Sequence, residues 1–246
     1  MRHRFLHQRG FARFDRERSK TRSLGFLINF VAPHDREGYL LCCVDARQER
    51  GLEDSVSNDP IEERQREIII GEIESPTIVV VDYDPAWQGR FRREEERIRA
   101  ALGEAALSVE HIGSTSVPGL AAKPIVDILL VVEDSADEAS YVPALEEAGY
   151  VLRVREPDFD EHRMFRTPEK DVHVHVFSPG SKEIERYLLL REHLRENEED
   201  RELYARTKRE LASRDWPSMD HYAEAKTEVI EGIIARAAAR RSSREA

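Results

Sequence analysis

Residues 110–133 read EHIGSTSVPGLAAKPIVDILLVVE, and this stretch decides how the rest of the chain is read. It enters as a strand, breaks at Gly113-Ser114, passes a Pro118-Gly119 turn and re-enters an apolar run from Ile125 to Val132. That run holds one charge, Asp127. A carboxylate inside a buried strand is unfavourable unless a cation, a metal or several hydrogen bonds meet it. Strand alternation puts Ile125, Asp127 and Leu129 on one face and Val126, Ile128 and Leu130 on the other. Asp127 is therefore either a functional carboxylate or a structural one accepting backbone N–H bonds.

The turn before it has the composition of an anion site. Gly113 lets the backbone approach a ligand, and a turn starting after it presents free N–H groups. Ser114, Thr115 and Ser116 add hydroxyl donors. No Gly-Lys-Ser/Thr follows at P-loop spacing. Lys123 either neutralises a phosphate or is an exposed loop lysine. Further along, Asp171-Val172-His173-Val174-His175 alternates strictly, so Asp171, His173 and His175 share a face with about 7 Å between successive members. They form either a metal or ligand site or a solvated sheet face. His111, on the strand leading into Gly113, is a candidate fourth member.

Outward from these residues, Ile78–Val81 reads as a strand. Asp84 reads as the N-cap and Pro85 as the first residue of a helix that runs to Leu102 and stops at Gly103. Strands are expected at 107–112, 125–132, 150–155, 163–166 and 171–177, and a helix from Asp137 to Gly149. Ser181 caps a helical region predicted over 184–195, 198–213 and 218–239, followed by a basic tail at 238–246. Strands in the middle and helices late imply an α+β fold. Ordered structure is expected from about residue 77. Residues 1–75 read as a weakly ordered extension, or as translation from an upstream start codon, with Ile68-Ile69-Ile70 as either a strand or a helical turn.

The 246 residues carry a net charge of −11 with 40% hydrophobic and 35% charged residues. The chain can build a core, and the acidic balance argues against a general nucleic-acid binder. Residues 1–22 are the exception, with eight basic residues against two acidic ones. Cys42 and Cys43 are adjacent, which suits neither a bridge to each other nor a zinc site, so both are read as reduced, in a cytoplasmic setting. Leu24–Ala32 follows a basic start, but Asn29 interrupts it and no cleavage signal follows, so it is not read as a signal peptide. No run approaches membrane-span length.

Residues Glu110 to Ile128, taken with Tyr83-Asp84-Pro85-Ala86-Trp87, Arg163-Met164-Phe165-Arg166, His173 to Phe177, Arg191, Leu194-Arg195 and Tyr222 to Thr227, resemble the signature of the GrpB family over roughly 77–237. The resemblance implies a nucleotidyltransferase-like fold: a mixed sheet packed with helices and a helical C-terminal part. It implies a Gly113-Ser114 turn holding a nucleoside triphosphate, with Thr115, Ser116 and Lys123 nearby. Asp127 matches the first metal-binding carboxylate, and Ser114 and Asp127 become the candidate catalytic residues. Mg²⁺ or Mn²⁺ is the expected metal. The second carboxylate of Asp-x-Asp falls at Leu129, which cannot bind metal. The site then uses another, His-tolerant metal through Asp127, His173 and His175, or Asp171 or another acid completes it, or catalysis is lost. The resemblance extends to an accessory domain of some bacterial dephospho-CoA kinases, which offers a second role as a non-catalytic folding or binding domain for such a partner.

Overall fold

Five strands form, β1 (Ser108–Ile112), β2 (Val126–Val131), β3 (Val151–Glu156), β4 (His162–Arg166) and β5 (Val172–Phe177), all but β4 carrying β-branched residues. The structure is a computed structural model and describes residues 59–73 and 77–245. The strands form one mixed sheet in the order β1-β2-β5-β4-β3. β2 pairs antiparallel with β1 and parallel with β5, and the pairs β5–β4 and β4–β3 are antiparallel. Seven helices accompany it among the described residues: α1 (Pro60–Ile68), α2 (Ala86–Leu102), α3 (Val142–Glu147), α4 (Lys182–Glu196), α5 (Glu198–Ala212), α6 (Met219–Glu224) and α7 (Thr227–Glu245). This is the α+β arrangement expected, with a mixed sheet, packed helices and a helical C-terminal part.

The period-two pattern sorts the strand residues onto two faces. Val126, Ile128 and Leu130 join Val172, Val174 and Val176 under α2 and α3, with Trp87, Ile98, Tyr141 and Leu145. Leu129, Val131 and Phe177 pack on the opposite face beneath α4, α5 and α7, against Tyr187, Leu194, Tyr204 and Ile230. Asp127, His173 and His175 stand on this second face, so the C-terminal helices roof over them. None of the described helices is long and apolar enough to cross a membrane.

Several elements depart from the sequence expectation. Ile78–Val81 does not form a strand. Only Val81 bridges, to Ala122, through two reciprocal 2.9 Å hydrogen bonds, because the chain around Ala122 is loop rather than a sheet edge. The helix expected over 137–149 is a 3₁₀ turn at Glu138–Ser140 followed by α3. Pro143 lacks an N–H and fits only the first turn of a helix, so the helix starts there. The helix expected over 218–239 breaks after α6, and α7 runs on through most of the expected tail.

Within the segment expected to be loosely ordered, residues 60–68 are helical. The Asp59 side chain caps α1 by accepting from Ile61 N at 2.8 Å, Ile68 is buried, and Ile69 bridges to Val154. The basic residues of 1–22, the Leu24–Ala32 run and Cys42-Cys43 lie outside the described residues. The Ser181 cap matches expectation, its Oγ accepting from Glu183 N at 3.2 Å, whereas α2 starts one residue later than expected, with Pro85 at the cap position and Asp84 Oδ1 accepting from Ala86 N at 2.8 Å just before it.

Candidate metal and phosphate site

The parallel register of β2 and β5 sets Asp127 opposite His173 and Leu129 opposite His175. One strand thus supplies a carboxylate and its neighbour two imidazoles. Asp127 Oδ1 lies 3.6 Å from His173 Nδ1 and 3.7 Å from His175 Nε2, and one ligand atom from each residue fits within 4.8 Å of the others. These separations exceed hydrogen-bond length. They are close to the roughly 3.4 Å that separates two ligand atoms each about 2.1 Å from a tetrahedral metal.

The electrostatics point the same way. An Asp–His ion pair would raise its imidazole. Burial instead lowers His175 to about 4, so at neutral pH a carboxylate faces a neutral ring. His175 Nε2 is buried and has no hydrogen-bond partner. An unsatisfied ring nitrogen beside a carboxylate is the arrangement a metal ion satisfies, and one carboxylate with two imidazoles is a donor set that zinc and manganese accept. The residues present therefore fit a divalent metal.

The β1–β2 turn supports Asp127 sterically. Gly113 has φ +68° and ψ −175°, and a Cβ there would overlap Asp127 Oδ2. Glycine is required both by the backbone and by the carboxylate beside it. Ser114 Oγ accepts from Lys208 Nζ at 2.8 Å and faces the cavity. Thr115 and Ser116, grouped by sequence with the phosphate donors, turn elsewhere. Thr115 Oγ1 donates to Ile125 O at 3.2 Å and Ser116 Oγ to Gly113 O at 2.6 Å, which commits both hydroxyls to holding the turn. From α4, Arg195 donates to Ser116 O at 2.9 Å and Arg191 to His111 O at 2.8 Å, fixing the turn from outside.

Two lysines that sequence reasoning missed complete the pocket. Lys208 from α5 and Lys226 from the α6–α7 break are 3% and 0% exposed, and with the half-buried Lys123 they line one cavity with Ser114, Asp127, His173 and His175. Lys226 Nζ lies 3.6 Å from the Tyr222 ring centroid and has no hydrogen-bond partner. Lys208 Nζ lies 4.3 Å from that of Tyr204. Burial lowers all three ammonium groups, Lys208 and Lys226 well below the usual lysine value, and repulsion from Lys123 adds to it at both. Both missed lysines follow a tyrosine by four residues, the spacing that stacks side chains on one helix face. For Lys208 that spacing was the available signal.

Other candidates do not reach the cavity. His111 stacks on Phe91 at 4.8 Å and bonds Thr115 Oγ1 at 3.1 Å. Asp171, considered as the completing acid, accepts from Arg90 at 2.9 Å and from Thr167 Oγ1 at 2.8 Å. The turn through Lys170, at φ +62°, swings it off the face carried by His173 and His175. Leu129 is 0% exposed and packed in the core under the C-terminal helices. Leu129→Asp is therefore expected to lose about 3–5 kcal/mol, the scale of an unpaired buried charge, rather than to restore a metal pair. Urea unfolding reads the loss, and undiminished stability with tighter metal binding would contradict it.

The family model described as GrpB protein matches residues 77–236. A UPF0157 protein of Halalkalibacterium halodurans is 52% identical over 189 residues, covering 76% of this chain and 97% of the relative. The crystal structure of the conserved protein GrpB from Enterococcus faecalis is 36% identical at TM-score 0.57, covering 65% of this chain and 96% of that chain. A dephospho-CoA kinase of Mycolicibacterium paratuberculosis is 40% identical over 74 residues, which is 29% of this chain and 18% of the kinase. The MgGTP-bound Cid1 poly(U) polymerase overlaps at TM-score 0.35 and 12% identity, over 59% of this chain and 46% of that chain, too loosely to support an inference.

Proposed function

The chain belongs to the GrpB family, and from that premise and the pocket's donor set we propose that it binds a nucleoside triphosphate beside a divalent metal and transfers a nucleotidyl group to an acceptor. The observation that carries this reading is the convergence of three lysines and an Asp-His-His cluster in one cavity. Asp127, His173 and His175 would hold the metal. Lys208, Lys226, Lys123 and the Ser114 hydroxyl would receive phosphate oxygens, and the buried amines pay their desolvation only when an anion arrives. A divalent ion held there supplies Lewis-acid charge to a phosphoryl oxygen.

The donor set narrows the metal. Magnesium prefers all-oxygen octahedra, whereas two imidazoles favour manganese or zinc. The cavity volume of about 90 Å³ also constrains the ligand. Pockets that enclose drug-sized molecules run to roughly 300–1,000 Å³. This one admits phosphate groups and a metal with waters, and it leaves the sugar and base outside.

A second reading is favoured by the buried Leu129 and by the partial likeness to dephospho-CoA kinase: a non-catalytic domain that keeps the pocket and serves a separate kinase. Calorimetry on the full chain with ATP and Mn²⁺, Zn²⁺ or Mg²⁺ tests the binding reading. Wild type is expected to bind with Mn²⁺ or Zn²⁺, and Asp127→Ala to bind the metal at least about 100-fold more weakly, the upper end of losses seen even for residues behind the ligands. No binding by wild type with any of the three metals would overturn the reading.

A further inference from the structure

Behind His175 lies a chain of buried groups that reaches the edge of the sheet. His175 Nδ1 is 3.3 Å from His162 Nε2, and His162 Nδ1 is 2.8 Å from Glu156 Oε2. His162 and Glu156 are both 0% exposed. Arg64 from α1 brings Nη2 to 3.9 Å from Glu156 Oε1. His162 stacks on Phe177 at 4.8 Å, meets Phe159 edge-on at 6.1 Å and lies edge to edge with His175.

With Glu156 ionised, hydrogen-bond chemistry allows one assignment along this chain. An ionised carboxylate only accepts, so His162 Nδ1 carries the proton. A ring that donates from Nδ1 to Glu156 and is wholly buried offers Nε2 as its acceptor. His175 must then donate from Nδ1. A ring that donates from Nδ1 keeps its lone pair on Nε2, here the buried atom that has no partner and faces Asp127 at 3.7 Å. Without the chain, imidazole is as free to present an N–H to Asp127, which would close a hydrogen bond and block a metal.

We infer that Glu156 and His162 are positioning residues: a carboxylate–histidine relay that holds His175 in the Nδ1–H tautomer and turns its Nε2 lone pair into the pocket as a metal ligand. The relay crosses the mouth of the β3–β4 hairpin, where Glu156 ends β3, His162 opens β4 and the two are register partners. The carboxylate gives the relay its direction, and Arg64 stands 3.9 Å from the Glu156 oxygen that His162 does not meet. The inference rests on the metal-binding reading for its purpose but not for its geometry, and the two are tested separately.

Selective ¹⁵N-histidine labelling of the full chain, with long-range ¹H–¹⁵N correlation in the absence of metal, reads each tautomer directly. His162→Gln and His175→Gln assign the two signals. Both rings are expected as Nδ1–H, the less common form of neutral histidine. An Nε2–H signal from His175 in wild type overturns the relay.

Glu156→Gln then tests the direction of the chain. With Arg64 favouring the amide oxygen, the amide N–H₂ faces His162, so both tautomers invert and Zn²⁺ affinity falls about 10- to 100-fold, as for losses behind a ligating histidine. Thermal melting is followed alongside. Glu156→Gln with wild-type tautomers and wild-type Zn²⁺ affinity also overturns the relay. If Glu156→Gln does not fold, the wild-type tautomers still decide. Wild type that shows both Nδ1–H signals but binds no Zn²⁺ removes the metal reading and leaves the relay standing.

Discussion

Lys226→Met in the full chain is expected to melt higher than wild type while losing affinity for triphosphates. The Lys226 amine is 0% exposed, sits 3.6 Å from the Tyr222 ring centroid and has no hydrogen-bond partner. A buried polar group left unsatisfied costs about 1–3 kcal/mol in proteins. Methionine keeps the stem volume and removes the amine, so that cost is recovered. For a chain of this size each kcal/mol moves the midpoint by roughly 2–4 °C.

The pH dependence has a definite sign. Burial puts the folded-state value of Lys226 well below its ordinary 10.5. Across the interval below 10.5 the unfolded chain binds the proton and the folded chain does not, so wild-type stability rises with pH. The advantage of Met over Lys should therefore shrink as pH is raised towards 10.5. Calorimetric melting across that range checks it. A lower midpoint for Lys226→Met would mean that the amine stabilises the fold, against this account.

Gly113→Ala has the second large effect, on stability and metal together. Its φ of +68° with ψ −175° is a combination that L side chains avoid, and such strain costs about 1–3 kcal/mol. The added Cβ also overlaps Asp127 Oδ2. The carboxylate has to move, and it leaves the line joining His173 and His175. The variant should melt several degrees lower and bind Mn²⁺ or Zn²⁺ more weakly than wild type. Asp127→Ala, which lacks the carboxylate, should tolerate Gly113→Ala better than wild type does, because only the backbone strain then remains. Equal penalties in the two backgrounds would show that the contact with Asp127 does not matter.

Much of the sheet could be read from the sequence because alternation is local. Asp127 and Leu129 share a face with each other, as His173 and His175 do, simply because side chains alternate along a strand. The parallel pairing that brings these two faces together is not local, and nothing in either segment specifies it. The same limit explains the lysines. Lys208 and Lys226 are separated from Ser114 by most of the domain, and on a helix each reads as one more solvated charge. The Tyr204–Lys208 spacing distinguished the first, and the second lies in the Tyr222 to Thr227 stretch that resembles the GrpB signature.

Errors arose where a tertiary constraint overrode a local rule. Asp171 follows the alternation on paper, but the positive φ at Lys170 ends the register before it, and Arg90 and Thr167 take its oxygens. Thr115 and Ser116 look like phosphate donors by type, yet the Ser116 hydroxyl donates to Gly113 O within the turn and the Thr115 hydroxyl to Ile125 O at the entrance to β2. Ile78–Val81 has strand propensity and no strand to pair with beyond Ala122. The relay from Glu156 was hidden because 156–162 reads as an acidic turn, while β3 and β4 bring its two ends together.

The most direct measurement is a crystal of the full chain grown or soaked with Mn²⁺ or Zn²⁺ and recorded at a wavelength where that metal scatters anomalously. One anomalous peak is expected between Asp127, His173 and His175, about 2.0–2.2 Å from a carboxylate oxygen and from each ring nitrogen. Strong peaks elsewhere, with none between those three residues, would contradict it.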